Sequence, residues 1–196
     1  MILLMRGLLL AMLLCLPARG LAAGDARDLV ASARAQIGVT KTYDPAYVAL
    51  KYPAGDVPPE TGVCSDVVVR AFRKLGLDLQ KLVHEDMRAN FAKYPQKWGL
   101  KKPDPNIDHR RVPNLMKYFE RQGAALAASK KPADYRAGDV VAWNLGGGIT
   151  HIGIVSDAKA TDGTPLIIHN IGRGAQEENL LFKYEIIGHY RWRFAP

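Results

Sequence analysis

The chain has 196 residues, which suits one domain with a short appendage and excludes a repeat array or a multidomain machine. With 48% hydrophobic and 23% charged residues it falls in the globular range, far from the charge-rich, apolar-poor composition of disordered chains. Lys and Arg number 27 against 19 Asp and Glu, and the net charge of +8 favours an anionic partner without choosing among nucleic acid, lipid and acidic polymer.

Residues 1–23 are expected to be a secretory signal peptide. Residues 1–6 give a short start tipped by Arg6, residues 7–16 an apolar run, and Ala18, Gly20, Ala22 and Ala23 the small residues of a cleavage region. The apolar run of about ten residues falls short of the ~20 that span a bilayer, Pro17 ends it, and cleavage is expected after Ala22 or Ala23. An uncleaved membrane anchor is the other reading, and Leu14 ahead of Cys15 argues against lipidation. Removing Arg6 and Arg19 takes 27 basic residues to 25 against 19 acidic ones and leaves +6. Export to the periplasm or beyond makes nucleic acid a poor partner, and no dense Lys/Arg run with interleaved aromatics argues otherwise. Peptidoglycan or another anionic envelope polymer fits better. The exported chain, a single domain over residues 24–196, keeps only Cys64 and so can form no internal disulfide. A lone thiol in an oxidising compartment is either buried and inert or kept for its reactivity.

In chain order, Leu29, Val30, Ala33 and Ile37 recur at helical steps over residues 28–37. Residues 39–62 are irregular, with Pro45, Pro53, Pro58 and Pro59 and the tyrosines Tyr43, Tyr47 and Tyr52, and loops this long are often functional. Cys64 opens a helix whose face is Val67, Val68, Ala71, Phe72 and Leu75, with Gly76 as its C-terminal stop. A further helix carries Leu79, Leu82, Val83, Met87 and Phe91 and ends before Pro95; another starts at Pro113, carries Leu115, Met116 and Phe119, and stops at Gly123. The period then changes to that of strands, at 139–144, 150–156, 165–171 and 184–194, with Gly146-Gly147-Gly148 and Asp162-Gly163 as turns. The last strand is expected to put Tyr184, Ile186, Tyr190, Trp192 and Phe194 on one face and Glu185, His189, Arg191 and Arg193 on the other. Helices first and a strand meander second predict an α+β domain, its N-terminal helices packed on an antiparallel sheet or partial barrel.

His151 and His169 lie inside apolar strands that an antiparallel sheet can set side by side. A thiol of ordinary pKa about 8.5 needs an imidazole, a helix N-terminus, or both to act as a nucleophile near neutral pH, and this sequence can supply both. A base needs a polar group to fix its tautomer, which a second histidine can be. Cys64, His151 and His169 are therefore a candidate triad. Each member has an ordinary structural reading too: a small core residue, a satisfied buried histidine and a cross-strand polar partner.

The order of a helix-opening cysteine, Arg136-Ala137-Gly138-Asp139-Val140-Val141, His151-Ile152-Gly153-Ile154-Val155 and Ile167-Ile168-His169 resembles the NlpC-type cysteine peptidases of bacterial cell walls, a papain-like fold. Gly62-Val63-Cys64-Ser65-Asp66 and Asn106-Ile107-Asp108-His109-Arg110-Arg111-Val112-Pro113 resemble more closely an uncharacterised exported bacterial family, a distant branch of that superfamily. The resemblance implies Cys64 as nucleophile, His151 as base and His169 as the orienting residue, acting without a cofactor on peptide amides of peptidoglycan. It also implies a tyrosine oxyanion donor, which the sequence does not assign among Tyr43, Tyr47 and Tyr52. Val63 and Asp66 stand where the usual members have Asp and Gly. A catalytically silent envelope-binding domain and a thiol-dependent acyltransferase or esterase are the alternative functions.

Among other constellations, His84-Glu85-Asp86 with Asp108-His109 suits a metal by residue type, but Arg88 stands where a helical zinc motif needs histidine. Asp108-His109-Arg110-Arg111 is expected to be structural, with cleft lining the alternative. Asp66 reads as a partner of the helix N-terminus, or else as part of the site. Gly146-Gly147-Gly148 leads into a strand rather than a helix and is a hairpin turn, not a phosphate loop.

Overall fold

The computed structural model describes residues 24–194, so the signal segment at residues 1–23 lies outside the described residues. The first helix, α1 (Ala26–Arg34), is started by Asp25, which accepts from the backbone N–H of Arg27 and Asp28 while Asp28 answers to the backbone of Asp25. Two very short strands follow, β1 (Thr42–Tyr43) and β2 (Thr61–Gly62), paired in parallel with Thr42 opposite Thr61. The long loop between them was expected to be wholly irregular; its two ends are tied together at this bridge.

Helix α2 (Cys64–Lys74) has no polar side chain at its N-cap, Val63. Asp66 in its first turn supplies the missing acceptor by taking the Val63 N–H at 2.7 Å. The helix stops where Gly76, at φ +79°, takes the left-handed conformation that favours glycine. Helix α3 (Leu79–Asn90) runs on into a 3-10 turn, Phe91–Lys93, and a second 3-10 turn, Asp108–Arg110, precedes α4 (Val112–Arg121) with Pro113 in its first turn.

The remaining strands are β3 (Ala125–Leu126), β4 (Val140–Asn144), β5 (Thr150–Lys159), β6 (Pro165–Asn170), β7 (Ala175–Glu178) and β8 (Glu185–Tyr190). They form one open antiparallel sheet in the order β3-β8-β4-β5-β6-β7. Alternation along β4 and β5 divides the core into two layers. Val140, Ala142, Ile152 and Ile154 face the helices with Val68, Phe72 and Phe119, whereas Val141, Trp143 and Val155 pack against Leu180 and Leu181 on the far side. The Trp143 indole N–H closes that second layer by donating to the Leu181 carbonyl at 2.9 Å.

The single apolar face expected for residues 184–194 is not kept. The pairing of β8 with β4 slips between Ala142 opposite Gly188 and Trp143 opposite Ile186, and this bulge sends Ile186 to the far layer and Tyr190 to the helix layer. His189, expected on the same face as Glu185, is buried instead. It lies 2.7 Å from Asp139 and stacks on Tyr135, with Arg191 clamping both Asp139 oxygens. Burial pushes the Asp139 carboxyl up, but the bonds from His189 and Arg191 outweigh it and hold the group below the usual carboxylate range.

Candidate active site

Cys64 is set by the N-terminus of α2, which points into the sheet beside the start of β5. Cys64 shares the buried apolar cluster with Ile152, and the backbone N–H groups of Ile152 and Ser65 lie on the side of its sulfur. These donors favour a thiolate, yet burial prevails: with the residue 3% exposed and the Asp66 carboxylate nearby, the thiol is pushed up to about 11. The sequence reading expected the helix terminus to activate the thiol, and desolvation is why the resting thiol is neutral.

His151, the residue before Ile152, is the second residue of β5 and is 2% exposed. Its ring leans on Trp143, its cross-strand partner. Nε2 lies 3.1 Å from Nδ1 of His169, with the two rings nearly perpendicular. Gly153 makes that approach feasible, because a Cβ there would come within 2.7 Å of Ile167 and 3.1 Å of the His169 Cβ. Burial first, and the neighbouring His169 second, lower His151 to about 3, so it is a neutral imidazole across the physiological range.

His169 is fully buried, and its Nε2 lies 3.1 Å from Oε2 of Glu178, whose other oxygen pairs with Arg173. Burial lowers the His169 pKa, and Glu178 opposes that shift. Sequence reasoning missed Glu178 because β7 reads Ala-Gln-Glu-Glu, without apolar alternation.

Of the three tyrosines, Tyr43 is the one the structure places beside the thiol. It lies on β1, and burial first, then the charge a Cys64 thiolate would carry, push its phenol up to about 12. Tyr47 bonds Asp104 at 3.0 Å and Tyr52 packs edge-on against His84, both away from the thiol. Asn170 helps to hold Tyr43 in place, its amide donating to the carbonyls of Gly62 at 3.0 Å and Thr42 at 3.3 Å.

A buried ion pair supports the other side. Arg110 Nε lies 3.0 Å from Asp66 Oδ1, and the same guanidinium donates to the carbonyls of Asp44 at 3.1 Å and Ala46 at 2.9 Å. Asp66 thus joins the Cys64 helix to the segment just after Tyr43, and Arg110 has the structural role expected of its motif. Of the candidate metal residues only His84 and Asp108 come together, at 3.7 Å, while Asp86 is taken by Arg121 and Tyr94 and Glu85 faces Lys81. Among the described residues no group of three His, Cys, Asp or Glu could hold a metal ion, and no helix is long and apolar enough to cross a membrane.

The neutral thiol gives a pH expectation. A pKa of about 11 in place of an ordinary value of about 8.5–9 leaves on the order of 100-fold less thiolate at neutral pH. Alkylation of the folded protein by iodoacetamide is therefore expected to be slow at pH 7 and to keep rising above pH 9, with ordinary reactivity regained in guanidinium. A rate that levels off below pH 8.5 would contradict this reading.

Three comparisons bear on identity. A protein of Escherichia coli (strain K12) described as "Uncharacterized protein YijF" is 65% identical over 160 residues, covering 82% of this chain and 78% of that protein. The structure of NlpC1 from Trichomonas vaginalis is similar over 86% of this chain and 45% of its own, with 12% identity and a TM-score of 0.45. The profile described as "Domain of unknown function (DUF1287)" matches residues 30–192, a stretch that holds both the Cys64 and the Arg110 motifs, and the chain belongs to the DUF1287 family.

Proposed function

We propose that this protein is an exported thiol hydrolase that cleaves amide bonds in peptidoglycan peptides, with Cys64 as nucleophile, His151 as general base and His169 as the residue that orients it. The observation that carries the reading is the 3.1 Å contact between His151 Nε2 and His169 Nδ1. It commits one imidazole nitrogen to His169, and the mechanism requires the other, Nδ1, to come within reach of the Cys64 thiol, which lies beside the backbone of the neighbouring Ile152. The thiol gives its proton to His151 Nδ1 as the sulfur attacks the amide carbonyl, because burial disfavours a preformed ion pair. The Cys64 N–H and the Tyr43 hydroxyl are the donors for the oxyanion. His151 then passes its proton to the leaving amine, and water, deprotonated by the same imidazole, releases the acyl group and regenerates the thiol. Export is supported by the signal-like residues 1–23, and an acidic wall substrate by the chain's surplus of basic residues.

The test is digestion of purified muropeptides by the folded, reduced protein, read by mass spectrometry. New fragments that gain one water are expected, and intact muropeptides under every folded, reduced condition would overturn the substrate class. The buried, neutral thiol favours one second reading, an envelope-binding domain without turnover. That reading expects muropeptides to bind and remain whole. Fragments joined to an added amine instead of water would mark a transferase.

A further inference from the structure

The hydrogen-bonded line that starts at His151 does not end at His169. It continues to Glu178, and this third member has a consequence for which protons the two imidazoles carry. His151 can accept the thiol proton at Nδ1 only if its own proton is on Nε2. That proton must then be donated to His169 Nδ1, and the proton of His169 must be on Nε2, where it meets Glu178 Oε2 at 3.1 Å. In the opposite arrangement His169 would donate from Nδ1, His151 would carry its proton on Nδ1 and could not act as a base, and the bare His169 Nε2 would face a carboxylate oxygen lone pair to lone pair. An acceptor-only group at the end of the line therefore permits one direction of donation and rejects the other.

The surroundings keep that acceptor in place. Glu178 is opposite Ile167 across the β6–β7 pairing and so shares a face with His169. Its second oxygen is held by Arg173, in the turn between the two strands. The charged and titratable groups that act on His169 are Glu178 and Arg173 from this hairpin, Lys183 from the segment after β7, and His151 from β5. Glu178 is the sole acid of this set.

We propose that Glu178 is a positioning residue which, through His169, selects the tautomer of His151 that can take the Cys64 proton. The proposal rests on the thiol-hydrolase reading for its functional meaning, while the tautomer it requires is measurable without turnover.

The experiment is nitrogen NMR of the folded protein with 15N-labelled histidine, on the wild type and on Glu178→Gln. In the wild type, Nε2 of His169 and Nε2 of His151 are expected to be the protonated, pyrrole-type nitrogens. Glutamine has the same shape, but its amide can donate as well as accept, so Glu178→Gln is expected to show a share of His169 and His151 protonated at Nδ1. Muropeptide cleavage by the same variant is expected to fall about 10–100-fold in kcat with KM little changed, as for other partners that orient an imidazole. A wild-type spectrum with the proton on His169 Nδ1 would overturn the proposal by itself, even if no variant folds. So would identical tautomers in the wild type, Glu178→Gln and Glu178→Ala. A tautomer shift in Glu178→Gln supports the proposal whether or not muropeptides are cleaved, and uncleaved muropeptides count against the hydrolase reading alone.

Discussion

Cys64→Ala is expected to abolish muropeptide cleavage, and His151→Ala to lower it by about 10²–10⁴-fold, the usual worth of a positioned general base. Both expectations follow from burial. The thiol is buried and pushed up to about 11, so without the imidazole the proposed mechanism has no group to take its proton at neutral pH. Hydroxide would have to do so, and the residual rate of His151→Ala is expected to climb with pH where the wild type does not. Nucleophile and base act as a unit, so the double variant is expected to be no worse than Cys64→Ala alone. Alanine is close to cysteine in volume and a thiol sulfur is only a weak acceptor, so circular dichroism and the unfolding midpoint should stay near those of the wild type. A His151→Ala protein that is folded and cleaves at the wild-type rate would remove His151 from the mechanism.

The legible part of this site was that written in local pattern. A cysteine at the head of an apolar helical face, and two histidines inside short apolar runs joined by an Asp-Gly turn, are readable because each feature needs only a few neighbours. The helix opened by Cys64 and the β4–β5–β6 hairpins follow the same logic, and the α+β architecture emerged from it, whereas the expected meander did not foresee the return of β8 to pair with β4. Glu178 was not legible, because β7 is polar and its position opposite Ile167 exists only once β6 and β7 are paired. Tyr43 was one of three tyrosines in an irregular stretch, separated from Tyr47 and Tyr52 only by a two-residue parallel bridge. His189 was assigned the wrong environment because a bulge inserts one residue without leaving a mark in the alternation. The thiol's state was misjudged for a different reason: helix position and imidazole are visible in a sequence, whereas the depth at which desolvation overrides them is a property of the packed molecule.

Loss of Arg110 is expected to be among the most destabilising single changes, about 3–5 kcal/mol for Arg110→Met, because it strands a carboxylate that is almost entirely buried. That is a large share of the 5–15 kcal/mol by which a domain is ordinarily stable. The loss also orphans the carbonyls of Asp44 and Ala46, and so frees the segment that begins at Tyr43. Asp66→Leu should cost a comparable amount, since it unpairs the guanidinium and removes the acceptor of the Val63 N–H. The double variant Asp66→Leu/Arg110→Met buries neither charge and is expected to be more stable than either single one, with a coupling of roughly 2–3 kcal/mol in urea unfolding, at the upper end for residues in contact. It should not regain the wild-type stability, because the helix cap, worth about 1 kcal/mol, is still missing. The functional readout separates the ion pair from the loop it holds. The Asp66 charge opposes thiolate formation, so in a folded Arg110→Met protein the uncompensated carboxylate should slow alkylation of Cys64 further, while the double variant, without it, should be alkylated faster than the wild type. Additive destabilisation in the cycle would mean that Arg110 and Asp66 stabilise the site independently. Equal alkylation rates would mean that the carboxylate does not reach the thiol.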